Sequence, residues 1–282
     1  MKTIVAVLAL LGVLFAPARA QKQLPPEGGT PKDFVLPAST TFTLDNGMRA
    51  TLVPYGSIPK VSVSVAVFAG NYNEKEREDG LADVVGTLLK EGTATRTAKQ
   101  IAEEAAGMGG DVTVAVTGER TVVGGAVLSE FAPAFVGLLG DVVLNPAFPA
   151  SELERIKADQ LRQLAIMKTQ PRVLATIAFS KVVYKGYPQG RDLPPDETVR
   201  AFTLDDVKRF YGEQFGAART HVYVAGMFDA KQVEEAIRKA FGAWKKGEAP
   251  SFVTAKPFSS RSIYLVDRPG APQSTIMMGL PV

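Results

Sequence analysis

Residues 80–93 read GLADVVGTLLKEGT. From Gly80 to Leu89 the apolar spacing is that of a well-buried helix, and the polar, acidic Gly70–Gly80 before it reads as a loop. Asp83 stands in the first turn, where the helix dipole stabilises negative charge by a few tenths to about 1 kcal/mol. Gly86 stands mid-helix, where it costs about 1 kcal/mol relative to Ala. It either permits close packing against a strand or leaves a hollow. Residues 83 and 87 lie four apart and therefore share one helix face.

Working outward, Thr41–Pro54 carries Asn46-Gly47 between two alternating runs, the signal of a hairpin with a type I′ turn. Val61–Ala69 alternates small polar and apolar residues as a half-buried strand does. Thr97 with Gln100 forms a capping box for a helix that stops at Gly107 or Gly109-Gly110. Asp111–Thr117 and Arg120–Leu128 read as strands. A helix runs from Ser129 to Leu144. Ser151 and Glu154 form the capping box of another, with Leu153, Ile156, Leu161 and Leu164 on its apolar side, until Pro171 interrupts it. Further helices are predicted at Val173–Tyr184, Thr203–Phe215 and Asp229–Gly242, with Pro188–Pro195 a loop. Strands are predicted at Arg219–Gly226 and Ser262–Val266. Hairpins mixed with helices give an α+β fold, helices packed on a mostly antiparallel sheet.

The composition restricts the chemistry. The 282 residues include no Cys and one His, His221. That excludes disulfide frameworks, thiolate metal sites and cysteine nucleophiles, and any site needing two histidines of one chain, such as His₃ or His₂Glu zinc. Hydrophobic content of 46% and charged content of 22% are those of a globular chain. Residues 1–20 read as a secretory signal peptide: Lys2, an apolar run from Ile4 to Phe15, and Ala18-Arg19-Ala20 as the cleavage site. The run is too short to span a bilayer, which takes about 20 residues. Without Lys2 and Arg19, 30 basic residues face 29 acidic ones. With no basic stripe, nucleic acid is not an expected partner. Residues 21–37 are a Pro- and Gly-rich flexible lead, and the expected location is the periplasm with no membrane span after signal cleavage.

The stretch 80–93 resembles the signature helix of the pitrilysin/insulinase metallopeptidases, the inverted zincins, and their processing-peptidase-like two-domain group. The family motif is H-x-x-E-H, framed by G-L-A before it and G-T after it. Gly80-Leu81-Ala82 and Gly92-Thr93 match the frame. Asp83 falls on the first His, Gly86 on the Glu that serves as general base, and Thr87 on the second His. The third ligand of the family is a Glu about 75 residues on, and here Gln163 stands there. The resemblance extends over Leu44-Asp45-Asn46-Gly47, Gly109-Gly110, Asp141–Phe148, Glu154–Lys157, Arg219–Gly226 and Asp267–Ser274. It implies a metallopeptidase-like (LuxS/processing-peptidase-like) domain over 38–246, a linker at 247–259, and the truncated start of a second, similar domain at 260–282.

The resemblance further implies a non-catalytic subunit. No residue is assigned to catalysis, metal or cofactor. The degenerate positions are Asp83, Gly86, Thr87 and Gln163, with no cofactor in this chain and zinc expected in a catalytic H-x-x-E-H partner. Together the two would enclose a peptide or unfolded polypeptide. The alternative is a structural or peptide-binding scaffold of the same fold without a peptidase partner. Asp83 has two readings, a ligand in a rebuilt metal site with Glu78, Asp79 or Glu91, and a plain N-terminal helix acid. Gln163, flanked by Ile156, Gln160 and Met167, either hydrogen-bonds Thr87 or Asp83 or is solvated. His221 reads as a solvated strand-edge residue, the acidic run Glu74–Asp79 as a solvated turn, and Trp244 as packing.

Overall fold

The computed structural model describes residues 29, 35–256 and 261–279. The signal-peptide reading at 1–20 and most of the lead at 21–37 lie outside them, as do residues 257–260 and 280–282. From Pro37 onward the chain packs as one unit.

Six strands make one sheet: β1 (Thr40–Thr43), β2 (Arg49–Pro54), β3 (Lys60–Val67), β4 (Thr113–Val116), β5 (Thr121–Leu128) and β6 (Thr220–Gly226). Their order is β1-β2-β6-β3-β5-β4. Every neighbouring pair is antiparallel except β2 with β6. The alternation in β3 works as expected. Val61, Val63, Val65 and Val67 are buried on one face, joined by Val123, Val127, Val222 and Val224, while Ser62 points to the other.

The described residues also form eight α-helices: α1 (Leu81–Leu89), α2 (Ala98–Gly107), α3 (Ala132–Leu144), α4 (Ala150–Met167), α5 (Pro171–Val183), α6 (Asp196–Ala201), α7 (Leu204–Gln214) and α8 (Ala230–Phe241). The core is closed by α3 and α8. Phe135, Leu138, Leu139 and Val142 of α3 are buried with Val233, Ile237 and Phe241 of α8. Gly140 lets the two helices approach, since a Cβ there would stand 3.0 Å from the Cβ of Ala240.

Several expectations are corrected. The Asn46-Gly47 turn is not type I′. Gly47 has φ +89°, but among described non-glycine residues only Arg77 and Phe148 have positive φ. Asn46 is held instead by its side chain. Its Nδ2 donates to Phe241 O at 2.8 Å and Trp244 O at 3.1 Å, and its Oδ1 accepts from Met48 N at 3.2 Å. The hairpin is thereby clasped to the C-terminal end of α8. Asn46→Ala should cost about 1–2 kcal/mol by leaving buried carbonyls unpaired. Asn46→Gly should cost as much, whereas a type I′ turn would tolerate it. Urea unfolding of both variants checks this.

The Thr97/Gln100 box forms as read, and Thr203 with Asp206 makes a second box at the start of α7. The Ser151/Glu154 box does not. Pro149 is the N-cap of α4, with no side-chain cap, and Ser151 is taken into the first turn. Helix α6 was not foreseen. It starts after Pro195 with Asp196 and Glu197 in its first turn. No strand forms over Ser262–Val266. No other strand pairs with it among the described residues, and Ile263 and Leu265 are 97% and 93% exposed.

Candidate functional site

The frame around α1 is held by packing and hydrogen bonds. Thr93 bridges to Pro146, Ala94 N donates to Asn145 O, and Ala147 N donates to Gly92 O. Thr93 Oγ1 donates to Asp141 Oδ2 at 2.6 Å and Arg96 reaches the same oxygen at 2.8 Å. Burial alone would raise the Asp141 carboxyl. The bonds from Thr93, Asn145 and Arg96 outweigh it and hold the group below its ordinary value. Gly92-Thr93 and the 141–148 stretch are thus two halves of one clasp at the C-terminal end of α1. Gly110 is likewise structural, because a Cβ there would stand 2.0 Å from Ala126 O.

At its other end, α1 begins at Gly80, with φ +91°. Gln160 Nε2 of α4 donates to Gly80 O at 2.9 Å. Between α1, α4 and residues 188–194 lies a cavity of about 540 Å³, lined in part by Asp83, Thr87 and Gln163. The fold therefore brings these three sequence-predicted positions to one place.

Gly86 does not line it. It faces the edge strand β4, and a Cβ at 86 would stand 2.4 Å from Val116 Cγ2 and 3.5 Å from Val114 Cγ1. The glycine serves close packing; the hollow considered for it is filled by Val116.

Two of the three lining side chains are engaged by hydrogen bonds, and the third is exposed. Asp83 Oδ2 accepts from Asn71 Nδ2 at 2.8 Å. Burial pushes the Asp83 carboxyl up, against the lowering effect of Asn71. Thr87 Oγ1 donates back to Asp83 O at 2.9 Å. Gln163 is exposed, and no hydrogen bond joins it to Thr87 or Asp83. The other acids offered for a rebuilt metal site are each held by an arginine. Glu78 pairs with Arg209 at 2.9 Å, Asp79 with Arg191 at 3.5 Å and Glu91 with Arg155 at 3.0 Å. Among the described residues no three His, Cys, Asp or Glu groups converge as a metal site. One engaged carboxylate, a hydroxyl bonded to its own helix and a neutral amide do not fit zinc, which takes three protein ligands even at its open catalytic sites.

Two participants were missed by the sequence reading. Glu74, taken as part of a solvated turn, is 5% exposed. Its Oε1 accepts from Gly80 N, Ala82 N and Asn71 Nδ2 at 3.1, 2.9 and 3.2 Å. Arg191, in the loop after α5, donates to Asn71 O and Glu74 O and so straps residues 188–194 to the site. Nothing in the charged run EKERED distinguishes its first member. Only the fold buries it, under the N-terminal turn of α1.

Burial, opposed by those three donors and aided by the charge of Asp83, pushes the Glu74 carboxyl up from 4.5 to about 7. The folded state therefore holds this proton more tightly than the unfolded state. The corresponding stability is complete below about pH 4.5 and is lost as the pH rises through about 7. At about 1.4 kcal/mol per unit the effect is of order 3 kcal/mol. Glu74→Gln should flatten the fall in urea midpoint over this window, and an unchanged slope would refute the assignment.

His221 is not an edge residue. It lies in β6, inside the sheet, stacked on Tyr223 with centroids 4.1 Å apart and 2.8 Å from Thr51 Oγ1. Burial, then the charge of Arg49, hold its imidazole below the ordinary value. Trp244 packs as expected, buried against Phe241.

The comparisons with known proteins agree with this geometry. The sequence profile described as insulinase (peptidase family M16) matches residues 53–194, and that described as peptidase M16 inactive domain matches 201–282. An uncharacterised zinc protease of Rickettsia bellii is 28% identical over 237 residues, 84% of this chain and 57% of that protein. The chain thus spans little more than half the length of this relative. Among solved structures, the peptidase M16 inactive domain from Pseudomonas fluorescens superposes with a TM-score of 0.72 at 23% identity, covering 78% of this chain and 54% of that one. The first half of the periplasmic protease PqqL from Escherichia coli gives 0.70 at 17%, covering 79% and 49%.

Proposed function

Because the chain belongs to the insulinase (M16) family of peptidases, we propose that it is an exported, non-catalytic subunit of a zinc peptidase. In this reading it pairs with an H-x-x-E-H sister chain and shapes a chamber that holds a peptide without cutting it. The observation that carries the reading is the contact between Gly86 and Val116. The position the family gives to its general base has no side chain, and the space such a side chain needs is occupied by the neighbouring strand. Asp83 and Thr87 support it, since each is engaged by a hydrogen bond beside the cavity it lines, and Gln163 offers only a neutral amide.

What remains is suited to binding. Among the described residues strand β4 is one of the two edges of the sheet, and it lies against α1. An open edge offers unpaired backbone N–H and C=O groups to an extended peptide. The apolar start of the sequence and the periplasmic location of the similar Escherichia coli protein support export.

The test is co-purification of the full gene product with the product of an adjacent H-x-x-E-H gene, followed by zinc and peptidase assays of each part. The chain alone should carry no stoichiometric zinc and cleave nothing, and should raise the activity of its partner. One tightly bound zinc and chelator-sensitive cleavage by the isolated chain would refute the proposal.

A further inference from the structure

We propose that residues 171–194, helix α5 with the turn after it, are a flap that swings off the cavity as one piece, and that Arg191 is the latch holding it shut. The proposal concerns how the cavity is closed and goes beyond the reading of what it holds.

Helix α5 is apolar along most of its length yet buries nothing. Val173, Leu174, Ile177, Phe179, Val182 and Val183 are all only half-buried, and no residue of the helix is buried. Helix α3 has the same length of 13 residues and buries eight of them. Packing of an apolar face is what fixes a helix in place, so α5 costs little to lift. Its main packing partner is the turn at Pro188–Gly190. The turn and the helix are bound together. A Cβ on Gly190 would stand 2.4 Å from Tyr184 O, Tyr187 N donates to Tyr184 O at 3.0 Å, and Lys181 pairs with Asp192.

The polar ties of this piece to the rest of the chain run through one side chain. Leu174 N donates to Gln170 O at the start of the helix. Apart from that bond, among the described residues every hydrogen bond or ion pair joining 171–194 to the remainder is made by Arg191. Its guanidinium donates to Asn71 O at 3.3 Å and Glu74 O at 2.9 Å, and lies 3.5 Å from Asp79 Oδ1. All three partners belong to the loop that leads into α1. The apolar ties are few. Leu193 is partly buried against the core, and Pro194 lies beside Gly80. Gly279 lies against Phe179, but residues 261–279 are exposed throughout, so they cover α5 without anchoring it.

The ends of the segment suit a hinge. Helix α4 ends at Met167 and α5 starts at Pro171, while Pro194 and Pro195 precede α6. Proline donates no backbone hydrogen bond, so none is made at these three positions. Rotation at Gln170 and Leu193 turns the segment without breaking a helix. The cavity lies against it. Pro188, Arg191, Leu193 and Pro194 form one wall, and α1 and α4 contribute the others. Lifting the segment opens the cavity on that side, and access from there depends on release of Arg191.

Native-state hydrogen exchange of the full chain, read by mass spectrometry, tests this. Amides of α5 and of the turn at 188–190 should share one rate, at least about ten-fold faster than those of α3. Their exchange should also depend less steeply on added urea, because a flap exposes less surface than global unfolding. Arg191→Ala should speed exchange across the flap by about another ten-fold and leave α3 and α8 unchanged. Arg191→Lys should fall between, since lysine keeps the charge but not the fork that reaches two carbonyls and Asp79 together. Exchange of α5 in the unaltered chain at the rate and urea slope of α3, or as a gradient fraying from one end, would overturn the flap. A flap whose rate Arg191→Ala leaves unchanged, or an Arg191→Ala chain in which α3 accelerates as much as α5, would overturn the latch.

Discussion

Gly86→Glu, the change that would restore a carboxylate at the centre of the signature helix, is expected to destabilise the protein rather than activate it. The first atom of the new side chain would stand 2.4 Å from Val116 Cγ2, closer than non-bonded carbons approach. The remaining atoms would carry a charge into the packed layer between α1 and β4. Overpacking typically costs about 1–3 kcal/mol, and burial of an unpaired charge adds to it. A loss of about 3 kcal/mol or more should appear as a fall in melting temperature of roughly 6–12 °C. Gly86→Ala isolates the steric part. Helix propensity favours it by about 1 kcal/mol, so a net loss measures the clash with Val116. Adding Val116→Ala should recover most of that loss. If Gly86→Ala alone stabilises the chain, the packing role assigned to Gly86 is wrong.

The second large effect concerns metal. Asp83→His, Thr87→His and Gln163→Glu made together should give the chain one zinc per molecule, held at micromolar affinity or tighter, which corresponds to about 8 kcal/mol. The three positions line one cavity, and residues 83 and 87 share a helix face, as two histidines binding one ion must. The same triple variant should not cleave peptides, because no carboxylate stands at 86 to take a proton from a zinc-bound water. Equilibrium dialysis against zinc, with and without a chelator, measures the first claim, and a peptidase assay the second. A triple variant that binds no more zinc than the parent chain would show that Gln163 lies too far out to complete the site.

Much of the fold was legible because its signals are local. Alternation in Val61–Val67, the box at Thr97 and the helix starts at Thr203 and Asp229 each rest on a few neighbouring residues, and each is found as read. The errors came where a distant contact decides. Asn46 has the residue type of a left-handed turn, but the carbonyls at the end of α8 offered it a better use. His221 reads as an edge residue until β6 is seen between β2 and β3. The site divides in the same way. The stretch 80–93 located Asp83, Gly86 and Thr87 by number alone. Nothing in sequence could place Val116 against Gly86, bury Glu74 beneath the first turn of α1, or bring Arg191 across to it.

The place of β6 has a kinetic consequence. Leu52 pairs with Val224, and Val63 with that same residue from the other side. Before residues 220–226 are available, β1 and β2 form one ribbon and β3, β5 and β4 another, with no ladder between them. Contacts of such sequence separation are slow to form, since a long loop must be closed before they repay its entropy. Strand β6 is the keystone of both ribbons, since it covers the β2 edge of one and the β3 edge of the other. Substitutions within 220–226 should slow folding more than equally costly ones in the β1–β2 hairpin.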